Sequence, residues 1–317
     1  MKTMKLIKTH PRNYKKSPTV QRYHNNPILP AELMPFNCRG VFNSTVVKHN
    51  GSYFMIARAE GYNLWDSLWI CESPNGYDSW KVHGMIPHPD DEEFKQYGRN
   101  WYDPRVTKID DTFYLTVCVH KKDARMGLLS SNDLMDWKWH GFITGYGYRN
   151  TVLFPEKVKG NYAALERPMA LGDIWYSESP DMKYWGNHRQ VLEASTEGVG
   201  VWGERKIGPC GTPIKTKHGW LIIFHGVQFL TDTEIYHTGV MLTDLEKPWK
   251  VIRVGDEPIL TPEVEYELSG HAVNVVFASS HIVENDGSVK LYYGAADRYQ
   301  CVADTTIDLL LEAVLKR

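Results

Sequence analysis

Several features that mark other protein classes are missing from this sequence of 317 residues. No stretch approaches the ~18 apolar residues that a membrane span requires, so we expect no transmembrane helix. The five cysteines show neither CxxC spacing nor a Cys/His ligand pattern, and no zinc site is recognisable. The histidines lack ligand spacing and no glycine-rich phosphate loop follows a predicted strand, so nothing supports a metal or nucleotide enzyme.

The cysteine content and the net charge indicate the cellular environment and the kinds of partner to expect. An odd number of cysteines fits reduced thiols in a cytoplasmic protein better than a disulfide framework. The net charge is −2, so the composition suggests neither nucleic acid nor an anionic membrane as a partner. Eleven tryptophans and eighteen tyrosines suit the aromatic platforms of sugar-binding sites, and they suit the filling of internal interfaces equally well.

The first 22 residues differ from the rest because they contain basic residues and no acidic one. No apolar run of seven or more occurs there, so this segment is not a secretory signal. We interpret residues 1–24 as a solvated strap or an oligomer contact, which is compatible with a homo-oligomer. The basic residues are Lys2, Lys5, Lys8, Arg12, Lys15, Lys16 and Arg22.

One hairpin pattern recurs five times along the chain. In each copy a short extended segment enters a turn, which is charged, and a second extended segment leaves it. A hairpin that returns every ~50–70 residues is typical of a β-propeller, in which each blade is one four-stranded sheet. We therefore predict one all-β domain over residues 1–317, a five-bladed β-propeller with a short C-terminal helix over 305–317. The turns are His49-Asn50-Gly51, Ile109-Asp110-Asp111, Val158-Lys159-Gly160, Lys217-His218-Gly219 and Asn285-Asp286-Gly287.

Polar residues recur at equivalent places in these hairpins. The innermost strands of a propeller surround a central channel, so equivalent positions should converge on one rim of that channel. Strands this apolar have little reason to end repeatedly in charged residues unless those residues line a site. The polar residues where the first inner strand begins are Asn43, Ser44, Asp103, Arg149 and Lys206. Those at the end of the second strand are Arg58, Arg167, His225 and Asp297.

The balance of charge within this set points to a nucleophile other than water. An inverting glycosidase needs two carboxylates, one as acid and one as base. Here a cluster of cations stands where the second carboxylate is expected. Arginine side chains suit the oxygens of phosphate, and a phosphate dianion needs no base because it already carries its charge. The arrangement therefore predicts phosphorolysis.

Specific motifs surround the same residues along nearly the whole chain. The motifs are Phe42-Asn43-Ser44, Tyr102-Asp103-Pro104-Arg105-Val106, Arg149-Asn150, Phe154-Pro155, Arg167-Pro168, Gly172-Asp173-Ile174, Lys206-Ile207-Gly208, His225-Gly226-Val227 and Tyr292-Tyr293-Gly294. In these the chain resembles glycoside hydrolase family 130, the β-mannoside phosphorylases. It departs from the family pattern after Arg167-Pro168, where many members carry an inserted loop.

The resemblance implies a five-bladed propeller and an inverting mechanism that yields α-mannose 1-phosphate. It makes Asp103 the general acid, which protonates the glycosidic oxygen through the 3-hydroxyl of the mannose in the −1 subsite. This role requires a raised pKa for Asp103, which burial or a neighbouring group should supply. Inorganic phosphate is then the co-substrate, with no cofactor and no metal. The implied phosphate ligands are Arg149, Arg167, Lys206, His225 and Tyr236, and the implied mannose ligands are Asn43, Ser44, Arg58 and Asp297.

Two alternatives remain open from the sequence. The first is an inverting β-mannosidase on the same fold, with water as nucleophile and a carboxylate such as Glu166 or Glu204 as base. The second is a non-catalytic glycan-binding propeller, which would need neither a phosphate cluster nor an isolated acid. The linkage that is cleaved, β-1,2 or β-1,4, and the acceptor sugar are also open, because the segments expected to border the acceptor have no familiar form.

Overall fold

The structure is a computed structural model that describes residues 19–98, 100–121, 123–194 and 199–315. Within these ranges the chain forms five antiparallel sheets. Neighbouring sheets contact one another in chain order, and the innermost strand of the fifth sheet packs against that of the first. The sheets therefore form a closed ring around a central channel. The predicted all-β fold, a five-bladed propeller, is confirmed.

The chain enters the ring through a short strand, β1 (Gln21–Arg22), which belongs to the last blade. Blade one contains β2 (Cys38–Val41), β3 (Thr45–His49), β4 (Ser52–Gly61), β5 (Asp66–Ser73) and β6 (Lys81–Met85). Its first two strands are the two halves of one innermost strand, since both pair with β4. Blade two contains β7 (Asn100–Ile109), β8 (Thr112–His120), β9 (Ala124–Ser131) and β10 (Lys138–Phe142).

The remaining blades repeat this order from the channel outward. Blade three contains β11 (Tyr148–Leu153), β12 (Tyr162–Pro168), β13 (Ile174–Ser179) and β14 (Gly186–Leu192). Blade four contains β15 (Lys206–Pro209), β16 (Ile214–Thr216), β17 (Gly219–Phe229), β18 (Glu234–Thr243) and β19 (Val251–Val254). Blade five contains β20 (Val276–Val283), β21 (Ser288–Ala295) and β22 (Tyr299–Thr306), and β1 is its outermost strand.

The ring is closed by a segment from near the start of the chain. Gln21 pairs with Asp304 and Arg22 with Ala303, so the first strand completes the last blade. These two residues lie in the predicted strap over 1–24. Residues 1–18 of that strap lie outside the described residues.

Short helices connect or flank the blades. They are α1 (Glu92–Tyr97), α2 (Glu265–Leu268) and α3 (Ile307–Leu315), with 3₁₀ turns at Ala31–Leu33 and Val201–Gly203. The helix predicted over 305–317 begins at Ile307, because Thr305 and Thr306 still pair with Val289 and Ser288 as part of β22. Residues 316 and 317 are outside the described ranges. No described helix has the length and apolar character to cross a membrane.

Apolar side chains fill the space between each pair of neighbouring blades. Their burial contributes about 1.5–3 kcal/mol for each large side chain, so these interfaces hold the ring as one rigid frame. The neighbours that share a buried cluster include Ile56 with Leu115, Cys118 with Ala164, Leu165 with Ile222, Leu221 with Leu291, and Tyr292 with Met55.

Three of the innermost strands are kinked where they begin to line the channel. Asn43, Asp103 and Asn150 have left-handed backbones, with φ of 50°, 50° and 57°. Asn43 separates β2 from β3, and the pairing registers of β7 and β11 shift around Asp103 and Asn150. Such irregularities redirect side chains and are found next to functional sites. Here they gather polar groups at one mouth of the channel.

Candidate active site

A cavity of about 550 Å³ opens at the mouth where the innermost strands begin. It gathers most of the residues that the sequence predicts for the site. Those that line the cavity are Asn43, Arg58, Asp103, Arg149, Arg167, Tyr236 and Asp297. Three predicted residues, Ser44, Lys206 and His225, are not among its lining residues.

Asp103 lies on β7 and reaches the cavity with one carboxylate oxygen already occupied. Its Oδ1 accepts hydrogen bonds from Asn43 Nδ2 at 3.1 Å and from Arg58 Nη1 at 2.7 Å. Its Oδ2 accepts no hydrogen bond from the residues that the structure describes. The side chain is 11% exposed. The geometry therefore leaves one oxygen of a fixed carboxylate available to a substrate.

Arg58 is the residue that fixes this carboxylate. Its Nε and Nη2 donate to the two oxygens of Asp66 at 2.7 and 3.2 Å, which leaves Nη1 for Asp103. The guanidinium lies 4.2 Å from the ring centroid of Phe42 and 4.9 Å from that of Tyr102. A guanidinium held by a carboxylate fork between two rings has little freedom to move. Arg58 therefore orients Asp103. The sequence predicts Arg58 only as a mannose ligand and does not indicate this contact.

The predicted rise in the pKa of Asp103 is wrong. Burial alone would raise it, but the positive charges of Arg58, Arg105 and Arg149 and the hydrogen bond from Asn43 outweigh burial. The pKa of Asp103 therefore lies below its ordinary value, and the group is a carboxylate at neutral pH.

The pKa of Asp297 is shifted in the opposite direction, above its ordinary value. Burial raises its pKa and the charge of Asp103 adds to the rise, while Arg58 opposes it. Its backbone is left-handed, with φ of 49°. The two acids that the sequence predicts for this rim are therefore held with their pKa values shifted in opposite directions.

Arg149 and Arg167 are neighbours across the first two strands of blade three, where they form a register pair. Neither forms an ion pair with any carboxylate in the described chain. Their Nε atoms are buried and have no hydrogen-bond partner. Burial lowers the pKa of Arg167, and the charge of Arg149 lowers it further. Two uncompensated guanidinium groups thus face the same cavity as Asp103, which is an arrangement suited to an oxyanion.

Of the other predicted phosphate ligands, Tyr236 lines the cavity, and the side chains of Lys206 and His225 lie against its ring. Lys206 Nζ is 2.9 Å from Glu234 Oε2 and 5.1 Å from the centroid of the Tyr236 ring. The His225 ring stacks on Tyr236 at 6.2 Å, and its Nε2 is buried without a partner. Burial and the charge of Arg167 lower the pKa of His225 well below its usual value, so the ring is neutral. His225 is therefore a hydrogen-bonding group here and contributes no positive charge.

Ser44 is fully buried beneath the cavity and supports the neighbouring strand. Its Oγ accepts a hydrogen bond from the backbone nitrogen of Arg58 at 3.1 Å, and its own backbone nitrogen donates to Gln300. The structure does not bring it to the cavity wall, because the left-handed turn at Asn43 directs the following side chain inward.

The sequence analysis missed further carboxylates that line the cavity. They are Glu60, Asp66 and Glu234. Each is paired with a cation: Asp66 with Arg58, Glu60 with Arg39 at 2.9 Å, and Glu234 with Lys206. The site therefore contains more carboxylates than Asp103 and Asp297, the two that the sequence predicts. The only signal for Asp66 and Glu234 was their position at the start of an apolar third strand.

The two carboxylates considered as a base for water both lie away from this cavity. Glu166 alternates with Arg167 along β12 and faces the inside of the blade, where Oε1 accepts a hydrogen bond from Ser177 at 2.6 Å. Burial raises its pKa to about 7. Glu204 accepts a hydrogen bond from the backbone nitrogen of Phe229 at 3.3 Å. Neither residue lines the cavity, so this geometry does not favour the alternative in which one of them activates water.

Among the described residues, no three His, Cys, Asp or Glu side chains come together as a metal site would need.

The chain is similar in sequence and structure to known phosphorylases. The family model described as beta-1,4-mannooligosaccharide phosphorylase matches residues 10–316. The beta-1,4-mannooligosaccharide phosphorylase of Ruminococcus albus is 33% identical, over 93% of this chain and 90% of the relative. The 1,2-beta-oligomannan phosphorylase of a Thermoanaerobacter species is 33% identical, over 88% of this chain and 94% of the relative. The structure of beta-1,2-mannobiose phosphorylase from Listeria innocua with beta-1,2-mannobiose superposes with a TM-score of 0.84, at 26% identity, over 93% of this chain and 99% of that chain.

Proposed function

Because this chain belongs to glycoside hydrolase family 130, we propose that it is an inverting β-mannoside phosphorylase. It transfers a mannosyl group from a β-1,4- or β-1,2-linked mannoside to inorganic phosphate and releases α-mannose 1-phosphate. The substrate is a mannobiose, a manno-oligosaccharide or a mannosyl-glucose or mannosyl-N-acetylglucosamine type disaccharide. Phosphate is the co-substrate, and no cofactor takes part.

One observation carries this proposal. Arg149 and Arg167 face the cavity without a carboxylate partner in the described chain, while the cavity acids Asp66, Glu60, Glu234 and Asp103 are each paired with a cation. A site that used water would need a free carboxylate as base, and the proposal assigns the remaining cavity acid, Asp297, to the mannose. A site with two unpaired arginines instead holds an anionic nucleophile in place, where fixed donors offset its repulsion from the other acids.

The proposed reaction proceeds in one displacement. A phosphate oxygen attacks C1 of the mannose from the face opposite the glycosidic bond, the C1–O bond to the leaving sugar breaks, and the configuration inverts. The proton that the leaving oxygen needs comes from Asp103, through the 3-hydroxyl of the mannose as the family resemblance implies. Asn43, Ser44, Arg58 and Asp297 surround or support the mannose.

In this proposal Arg149 and Arg167 contact the phosphate directly. Tyr236 also lines the cavity and faces the phosphate with them. The side chains of Lys206 and His225 lie against the Tyr236 ring. We assign Lys206 and His225 a supporting role because neither residue lines the cavity. A neutral His225 then donates or accepts a single hydrogen bond, and the positive charge comes from the arginines.

A single assay tests the function and chooses the linkage. The protein is incubated with β-1,4- and with β-1,2-mannobiose, each with and without phosphate, and mannose 1-phosphate and free mannose are quantified. We expect mannose 1-phosphate only when phosphate is present, from one of the two substrates in preference. Release of free mannose irrespective of phosphate would instead establish a mannosidase, and no turnover of any mannoside would leave a binding protein.

Two further predictions accompany the proposal. The cytoplasmic location is a prediction from the cysteine content. The homo-oligomer is a prediction from the basic N-terminal segment, and light scattering of the full chain tests it.

A further inference from the structure

The channel has a second mouth, opposite the candidate active site. The innermost strands that begin at the first cavity run through the ring and reach a second cavity of about 430 Å³. All five blades contribute to its wall. The contributing residues are 45–48 of blade one, Arg105 and Lys108 of blade two, Pro155 of blade three, 211–215 of blade four and 279–283 of blade five.

The charges at this mouth have one sign. Lys48, Arg105, Lys108 and Lys215 line it, and no Asp or Glu of the described chain does. Lys48 and Lys215 are paired with glutamates that lie outside the lining. Arg105 and Lys108 form no ion pair within the ranges that the structure describes. The cavity therefore carries positive charge that its own wall does not neutralise.

Buried polar groups within the cavity wall also lack partners. Arg105 is 2% exposed, and while its Nη1 donates to the carbonyl of Pro104 at 2.9 Å, its Nε and Nη2 have no hydrogen-bond partner. His281 Nδ1 is likewise buried and without a partner. A Cβ on Gly211 would stand 2.7 Å from that atom, so only glycine leaves room beside it. The charge of Arg105 interacts with that of Asp103, but two of its buried donors remain without a hydrogen-bond partner. Unsatisfied buried donors are costly, which indicates that this cavity is built to receive a hydrogen-bonding partner for Arg105.

We propose that this second mouth binds a compact oxyanion of the phosphate class, either inorganic phosphate or a phosphomonoester. Arg105 and Lys108 would supply the charge, and two free donors of a guanidinium match the oxygens of such an anion. The Ser280 hydroxyl accepts from the backbone nitrogen of Val46 at 2.9 Å, so its proton is free to donate to the ligand. His281 is neutral, since burial lowers its pKa to about 4, and its hydrogen bond to the backbone of Thr212 leaves Nδ1 to accept a hydrogen bond from a protonated oxygen of the anion. This site is separate from Arg149 and Arg167, which face the other mouth.

Binding of phosphate to variants of the full chain tests the proposal directly. Isothermal titration with inorganic phosphate should give one bound phosphate for the full chain that carries Arg149→Ala and Arg167→Ala. In that background Lys108→Glu should weaken the remaining phosphate by about tenfold or more, because it reverses a charge at the cavity wall. Lys250→Glu makes the same change at an exposed position before β19 and should leave the affinity unchanged. Arg105→Met should abolish the binding.

The same titration with mannose 1-phosphate distinguishes the two sources of the anion. Tighter binding of the ester than of phosphate assigns the site to phosphomonoesters, and the reverse order assigns it to inorganic phosphate. If the chain with both active-site arginines replaced binds neither, or if Lys108→Glu leaves the affinity unchanged, the proposal is overturned. Because Lys108 is exposed, that variant decides the matter even if Arg105→Met fails to fold. The readout is binding, so it does not depend on whether the chain catalyses phosphorolysis.

Discussion

Asp103 has to satisfy two requirements that conflict. Arg58 donates to it at 2.7 Å, and together with Arg105 and Arg149 holds its pKa below the ordinary value. A general acid must instead be protonated before the bond breaks. A phosphate dianion beside Arg149 would offset that positive charge and bring negative charge near the carboxylate. Both effects raise the pKa of a carboxyl group, so binding of phosphate would favour the protonated form of Asp103.

We therefore predict that binding of phosphate raises the pKa of Asp103. The sign follows because nearby negative charge favours the neutral form of a carboxyl group. The measurement is a ¹³C NMR titration of protein labelled at the aspartate carboxyl carbons, with and without phosphate, in which Asp103→Asn identifies the resonance. We expect the midpoint to move to higher pH when phosphate is bound. A midpoint that stays in place, or that moves to lower pH, would show that another group is protonated by substrate binding.

Removal of the proton donor gives the second prediction. Asp103→Asn keeps the shape of the side chain and its contact with Arg58, but it cannot donate an acidic proton. We expect kcat for mannoside phosphorolysis to fall by about 10²–10⁴-fold, while mannobiose still binds. Asp111→Asn, at the exposed turn of the same blade, is the matched control and should retain full activity. Near-normal turnover by Asp103→Asn would remove this residue from the mechanism.

The third prediction concerns the nucleophile. Arg167→Ala removes one of two unpaired guanidinium groups, and a hydrogen bond to a charged group is worth about 1.5–3 kcal/mol. The KM for phosphate should therefore rise by about 10–100-fold, with a smaller effect on the KM for the mannoside. Arg189→Ala, on the outer strand of the same blade, should leave both values unchanged. An unaltered phosphate dependence in Arg167→Ala would mean that the phosphate binds elsewhere.

At the scale of an element, β15 carries Lys206 and packs closely against two other predicted phosphate ligands, His225 and Arg167. Gly208 on this strand packs where a Cβ would lie 2.5 Å from His225 Cε1 and 3.2 Å from Arg167 Cδ. Any side chain there must displace the histidine or the arginine. The close approach of β15 to β17 therefore fixes where Arg167 points.

Gly208→Ala tests this coupling and is the fourth prediction. We expect a higher KM for phosphate and a loss of stability of about 1–3 kcal/mol, since an added methyl overpacks a dense interior. The affinity for mannobiose should change less, because Asn43 and Asp297 lie on other blades. Gly84→Ala is the control, since no atom lies within 4 Å of the Cβ it adds. Equal kinetic effects of the two substitutions would argue against a link between β15 and the phosphate site.

The strand scale also explains which site residues the sequence could reveal. Asp103, Arg149 and Arg167 were predictable because they recur at the ends of the inner hairpins, and the turns between those strands have local sequence signals. Asp66 was missed because it lies on the third strand and reaches the site only through Arg58. The low pKa of Asp103 was not predictable, since its partner is 45 residues away and in another blade.

At the scale of the whole molecule, most of the architecture followed from the repeated turns. Asn50-Gly51 and Lys159-Gly160 adopt left-handed backbones at the predicted hairpins. Tight hairpin turns need this conformation, and the residue types at the turn indicate it directly. The closure of the ring was not predicted, because it joins Gln21–Arg22 to a strand almost 300 residues later. A two-residue strand has no periodicity to recognise, and its pairing depends on contacts that form only in the complete ring.

Arg22 anchors that closure, and its replacement gives the fifth prediction. Its Nε and Nη2 donate to the two oxygens of Glu267 at 2.7 and 2.9 Å, and Nη2 also donates to the carbonyl of Thr261 at 2.6 Å. Glu267 has no exposed surface, so Arg22→Met leaves a buried carboxylate that only Tyr293 and backbone groups contact. Breaking a buried pair in this way costs about 3–5 kcal/mol.

Chemical denaturation should therefore show a free energy of unfolding that is lower by about this amount in Arg22→Met. Lys95→Met removes an exposed pair on α1 and should leave the unfolding curve nearly unchanged, because surface ion pairs contribute little. The double variant Arg22→Met with Glu267→Gln should recover part of the loss, since it removes the uncompensated charge. If Arg22→Met unfolds like the parent chain, the last blade is held by its apolar contacts, and the ion pair is not needed to close the ring.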